Sequence, residues 1–190
     1  EGTYTALRFS CETGQVFRGD IRSAEDAVIE AIVSASDLWL EPQFRCPAPV
    51  ENGKTGTRIK ALLTAWARIS PKPLVLFFDE IDALVDASLE SVLRQLRDGF
   101  SQRPRAFPQS IILCGLRDVR DYKVLSGGSP RLGTASPFNI KTESLRLANF
   151  TQEEVRTLYH QHTTATGQQF EEEAILKAWE LTEGQPWLVN

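Results

Sequence analysis

Two adjacent carboxylates, Asp79 and Glu80, stand at the end of five consecutive apolar residues, Leu74 to Phe78, in the string PLVLFFDEID. An uninterrupted apolar run of this length, entered through Pro73, reads as an interior strand. In open parallel sheets, ligands gather beyond the carboxyl ends of the strands. A strand held by its neighbours would aim both acids instead of leaving them floppy. The first acid could then hold Mg²⁺, directly or through its water, while the second orients or deprotonates an attacking water. Hydrolysis of a nucleoside triphosphate needs that division of labour. The plainer alternative is that both acids only cap the turn that follows.

Two further places bear on the same chemistry. A second apolar run, Ile111 to Cys114, continues into Gly115-Leu116-Arg117. On a neighbouring strand, Arg117 would come close to the same crevice, where a guanidinium can sense or stabilise a γ-phosphate. Arg120 competes for that role, and an ordinary surface arginine is the alternative. Near the other end, Gly184-Gln185-Pro186 separates two helical segments. Such a turn can set Pro186 against an adenine ring.

A triphosphate site also needs backbone amides to cradle phosphate. Residues 48–55, APVENGKT, satisfy a relaxed phosphate-loop pattern, with Lys54 and Thr55 in the phosphate and Mg²⁺ positions. Three features count against it. No clean strand precedes it, Pro49 lacks an amide N–H, and Ala48 replaces the usual opening glycine. The expectation is a solvent loop.

The elements that must position these residues follow from periodicity. Tyr4 to Ser10 reads as a short strand ending in a Cys-Glu-Thr-Gly turn. Asp20 or Ser23 can cap a helix carrying Ala24, Ala27, Val28, Ala31 and Ile32. Residues 41–57 read as a loop; the next helix bears Ile59, Leu62, Leu63, Trp66 and Ile69 and ends before Pro71 and Pro73. Asp86 offers an N-cap to a helix with Leu89, Val92, Leu93, Leu96 and Phe100 on one stripe. Apolar strands alternating with amphipathic helices predict a parallel sheet covered on both faces. Residues 123–142 are rich in Gly, Ser and Pro and read as a mobile loop. Glu143 to Leu147 alternates weakly, as a last strand would. Beyond Phe150 the pattern is helical: Thr151 to Glu154 matches a capping box, a further helix spans roughly 171–182 with Gly184 as its cap, and Pro186 opens another.

Bulk properties set outer bounds. With 190 residues, 42% of them hydrophobic, and a net charge of −4, the chain can bury a core and does not resemble a protein that coats nucleic acid. Charge is uneven, though: residues 94–131 hold eight basic groups against three acids, which reads as a solvated basic face or a phosphate-facing edge. The three cysteines lack metal-site spacing, and free thiols point to a cytoplasmic location. No apolar run approaches the roughly 18 residues that span a bilayer. Methionine is absent altogether, so the chain is expected to be an internal piece of a longer protein.

Taken in order, LVLFFDEIDAL, SVLRQLR, FPQSIILCGLRDVRDY, FNIKTESLRL, the QEEV helix and WELTEGQPWLVN resemble the bacterial AAA-like ATPases of the P-loop superfamily. These lie near the STAND and origin-recognition types. The resemblance implies an α/β fold of P-loop NTPase type over 1–148, its central strand missing, and a truncated helical lid over 149–190. It implies that Asp79 and Glu80 are the Walker B pair, with Asp79 holding Mg²⁺ and Glu80 catalytic. Arg117 would be the sensor arginine, and Gly184 to Pro186 the lid motif touching the base of ATP. The family's Walker A loop would precede residue 1, so these residues alone are expected to bind ATP poorly while the parent protein binds and hydrolyses it as a conformational switch. Its partners would be further domains of the parent chain and a protein partner or a second copy. A DNA-acting ATPase using the basic stretch and an inert scaffold are the other readings.

Overall fold

The computed structural model describes residues 2–49, 53–116 and 143–189. The chain divides into two compact units, Glu1–Thr142 and Glu143–Asn190. The first is α/β: a three-stranded parallel sheet flanked by helices, in the order β1 (Thr5–Ser10), β2 (Leu74–Asp79), β3 (Ser110–Leu113). Between β1 and β2 lie α1 (Ile21–Trp39) and α2 (Arg58–Ile69); α3 (Asp86–Gly99) connects β2 to β3. Parallel neighbours need such crossovers because a tight turn cannot return the chain to the same end of the sheet. The strand carrying the acids is therefore central, and β3 forms an edge among the described residues.

Register fixes what each strand shows. Leu7 lies opposite Leu76, which lies opposite Ile111; Phe9 lies opposite Phe78, which lies opposite Leu113. This row is buried in β1 and β2 and partly buried in β3, and Phe9 meets Phe78 edge-on with ring centroids 4.6 Å apart. It merges with Val28 and Ile32 of α1, with Ile59, Leu63 and Trp66 of α2, and with Val92 and Leu96 of α3 into one core. The other row, with Arg8, Ser10, Val75, Phe77 and Asp79, is half-buried or exposed. Expected cover on both faces is thus met on one face among the described residues. Period-2 burial replaces the uniformly buried run that five apolar residues suggested.

Several local expectations shift. Asp20 is the cap of α1, accepting from Ser23 N–H at 3.1 Å. Asp86 does not cap α3. Val85 takes that position, Asp86 begins the helix at φ 51°, and the buried Ser88 hydroxyl pins the turn on the carbonyls of Val85 and Arg18. Ile69 turns outward at the end of α2, 61% exposed.

The second unit is a small helical cluster: α4 (Gln152–Thr166), α5 (Glu172–Thr182) and α6 (Pro186–Val189). The capping box forms as the sequence predicts, with Glu154 N–H donating to the Thr151 hydroxyl and Thr151 N–H to the Glu154 carboxylate. Val155, Ile175 and Val189 form its buried hydrophobic cluster, ringed by Phe150, Tyr159, Phe170 and Trp179. Residues 143–149 form no strand, and Leu145 and Leu147 are exposed. Alternation becomes a strand only where a neighbour takes the backbone donors and acceptors. No helix among the described residues is long and apolar enough to cross a membrane.

Candidate functional site: the acidic end of the central strand

Asp79 is the last residue of β2, and Glu80 follows in the left-handed region at φ 53° and ψ 39°. A non-glycine residue there costs on the order of 1–3 kcal/mol and persists only when its surroundings hold it. Here they do. Cys11 N–H donates to the Asp79 carbonyl at 2.8 Å, Cys114 N–H to the Phe78 carbonyl at 2.9 Å, and Ile81 N–H to the Cys114 carbonyl at 3.0 Å. Both flanking strands thus clamp the turn. The Ser10 hydroxyl, at the end of β1, donates to the Glu80 carboxylate. Bound in this way, Glu80 turns back over the carboxyl end of the sheet instead of continuing the strand.

Asp79 is also engaged. Its Oδ2 accepts from Arg8 Nη1 at 2.8 Å, and its Oδ1 from Glu80 N–H at 3.1 Å. An open cleft of about 540 Å³ lies over this end of the sheet, between Arg8, Ser10, Asp79 and Glu80 on one side and Leu38 and Trp39 of α1 on the other. The field of the two acids reaches the thiols beside them. Burial, then Asp79, then Glu80 push the Cys11 thiol up to about 12, and burial and Asp79 raise Cys114 while Arg8 opposes. Cys11 therefore stays a protonated, buried thiol at neutral pH and is no nucleophile. All three cysteines are free.

Asp79, Glu80 and the Ser10 hydroxyl present hard oxygens, the donor chemistry of Mg²⁺. Among the described residues, no three or more His, Cys, Asp or Glu side chains gather in a way that could hold a metal ion. Two carboxylates and a hydroxyl do not make a site that the protein's side chains alone could fill with a metal ion.

The G-K-T string resolves differently. Lys54 and Thr55 precede α2, and the amides of Gly56, Thr57 and Arg58 that follow them are taken. Glu25 of α1, 1% exposed, accepts from Gly56 N–H at 3.0 Å and Arg58 N–H at 3.2 Å. Gln95 of α3 secures the same carboxylate through Nε2 at 2.8 Å and accepts from Lys60 N–H. An internal carboxylate stands where an anion would sit, which makes this loop a structural joint of α1, α2 and α3.

Of the residues the sequence singled out, Asp79 and Glu80 are together, as their adjacency requires. Arg117, with Arg120, lies outside the described residues. Gly184 and Pro186 belong to the second unit. There Glu183 is the left-handed cap of α5, Gly184 follows at φ 70°, its carbonyl accepts from Phe150 N–H at 2.8 Å, and Pro186 starts α6 with its side chain exposed. A Cβ on Gly184 would stand 1.9 Å from the Phe150 carbonyl oxygen. Gly184→Ala is accordingly expected to destabilise the second unit by about 2 kcal/mol, read as increased amide exchange around Phe150. Within the basic stretch, Arg103 is a loop staple: its guanidinium donates to the carbonyls of Phe100 and Gln109 and stacks on the Phe100 ring.

Sequence reasoning missed Arg8, Ser10 and Glu25. Arg8 and Ser10 sit two apart on a strand, hence on one face, and that was the available signal; nothing local pairs them with residues 79 and 80. Comparison of the chain with protein-family models, with curated proteins and with solved structures finds no match.

Proposed function

We propose that the first unit carries the acidic half of a Mg·ATP site, in a protein of AAA-like type that hydrolyses ATP as a conformational switch. The observation that carries the reading is the pair Asp79 and Glu80, held at the carboxyl end of the central strand of a parallel sheet by both neighbouring strands. In this reading Asp79 would hold Mg²⁺ through its water, and the ion, when bound, would supply positive charge near the phosphoryl oxygens. Glu80 accepts a proton from the attacking water as its oxygen bonds the γ-phosphorus and the bond to the β–γ bridging oxygen breaks. Ser10 keeps Glu80 aimed until that proton moves. The family resemblance would assign Arg117 to the γ-phosphate.

Phosphate-cradling amides are the part that the described residues do not offer, since Glu25 has taken those after Lys54. A phosphate loop is therefore not proposed among the described residues. Isothermal titration of residues 1–190 with Mg·ATP should accordingly give no micromolar affinity, and micromolar binding would overturn that assignment. ATP turnover by the full-length protein, lost on Glu80→Gln, tests the reading as a whole. DNA-dependent action is less supported, because Arg103 is committed to its own loop.

A further inference from the structure

We propose that the outer edge of β1 receives an extended, basic segment of a partner protein as an added strand. The inference does not draw on the ATPase reading. Thr5 N–H donates to the Pro73 carbonyl at 3.0 Å and Cys11 N–H to the Asp79 carbonyl at 2.8 Å, so the backbone groups of Thr5, Leu7 and Phe9 face β2. Backbone direction alternates along a strand, and the amides and carbonyls of Ala6, Arg8 and Ser10 therefore face the other way. No strand pairs with them among the described residues. A row of free donors and acceptors of this kind is a template for another extended chain.

What lies beside the row selects the occupant. The cleft of about 540 Å³ is bordered by Arg8 and Ser10 of β1 and, on its other side, by Ala35, Leu38 and Trp39 of α1. Leu38 and Trp39 are 72% and 73% exposed, an apolar wall without cover among the described residues. A strand laid along β1 turns alternate side chains to opposite faces, so every second one can enter the cleft against that wall. Charge sets the rest. Glu12, Asp79 and Glu80 border the same cleft against one cation, Arg8, which favours lysine or arginine in the segment beside Ser10. A second copy of this chain fits less well. An antiparallel pair of β1 strands using Ala6, Arg8 and Ser10 of each would set Arg8 opposite the same residue of the other copy, and like charges facing across strands repel.

The test uses the full-length protein and a fluorescein-labelled peptide of alternating valine and threonine with lysines at both ends, followed by fluorescence anisotropy at low ionic strength. Saturable binding tighter than about 100 μM is expected. In a strand only every second amide faces its neighbour, so methylating either the valine or the threonine amide nitrogens separates backbone pairing from charge attraction. One of these two peptides should bind at least about tenfold more weakly, while the other stays within about threefold of the parent peptide. Trp39→Ser and Glu12→Lys, both at exposed positions, should each weaken binding about tenfold, with circular dichroism checking that they fold. No saturation by about 1 mM, equal affinity of the two methylated peptides, or undiminished binding to either variant would each overturn the proposal. So would sedimentation of the free protein as a dimer that the peptide splits, because the edge would then belong to a second copy. No nucleotide is present, so the peptide result and the turnover lost on Glu80→Gln stand or fall separately.

Discussion

Glu80→Gln is expected to lower ATP turnover by the full-length protein at least about a hundredfold without loosening the fold. The substitution is nearly isosteric. Gln still offers the carbonyl oxygen that the Ser10 hydroxyl needs, and it meets the same left-handed backbone, so the strain at φ 53° is unchanged. What disappears is a carboxylate able to take a proton from water. Thermal unfolding should therefore coincide with wild type while turnover collapses. Turnover within a few-fold of wild type would remove Glu80 as the base and favour an inert scaffold. Asp79→Asn is a different lesion, because it also releases Arg8 from its partner.

Glu25→Ala is the substitution expected to cost most stability, about 3 kcal/mol or more. Its carboxylate accepts from Gly56 N–H, Arg58 N–H and Gln95 Nε2 at a site with 1% exposure. Alanine would leave those donors buried without acceptors and open a void between α1, α2 and α3. Each orphaned donor costs about 1–3 kcal/mol, and water reaches this joint poorly. Glu25→Gln should fall between the two, since its amide nitrogen would face donors with a donor. Urea unfolding reads the effect as a lower midpoint at unchanged slope. A loss below about 1 kcal/mol would mean that solvent satisfies the amides, and that the loop after Lys54 is free to receive another anion.

The buried thiols add an alkaline signature. Burial raises Cys11 and Cys46 from 9.0 to about 12. Between those limits the unfolded chain gives up its thiol protons and the folded chain does not. Stability is therefore untouched below pH 9 and falls as pH rises above it.

Much of the architecture was legible along the chain. Leu74 to Phe78 with its acids, the stripes of α1, α2 and α3, and the Thr151–Glu154 box all encode short-range geometry, which a period of two or 3.6 residues reports directly. Asp86 and Ile69 went astray at element ends. There a single side chain competes with its surroundings: Val85 takes the cap position of α3, and the Ser88 hydroxyl ties the turn to the Val85 and Arg18 carbonyls.

The sequence by itself determined that an apolar strand delivers two adjacent carboxylates to its end, and that glycine and proline punctuate the turn at 184–186. Only the tertiary structure decided what those carboxylates face. Arg8 reaches Asp79 across 71 positions and Ser10 reaches Glu80 across 70, while Gln95 reaches Glu25 across another 70. The reason is register. Which residue of one strand lies beside which residue of the next depends on how helices of fixed length close the crossovers and bury Leu7, Phe9, Leu76 and Phe78 on one face, a condition on the whole unit that no local period contains.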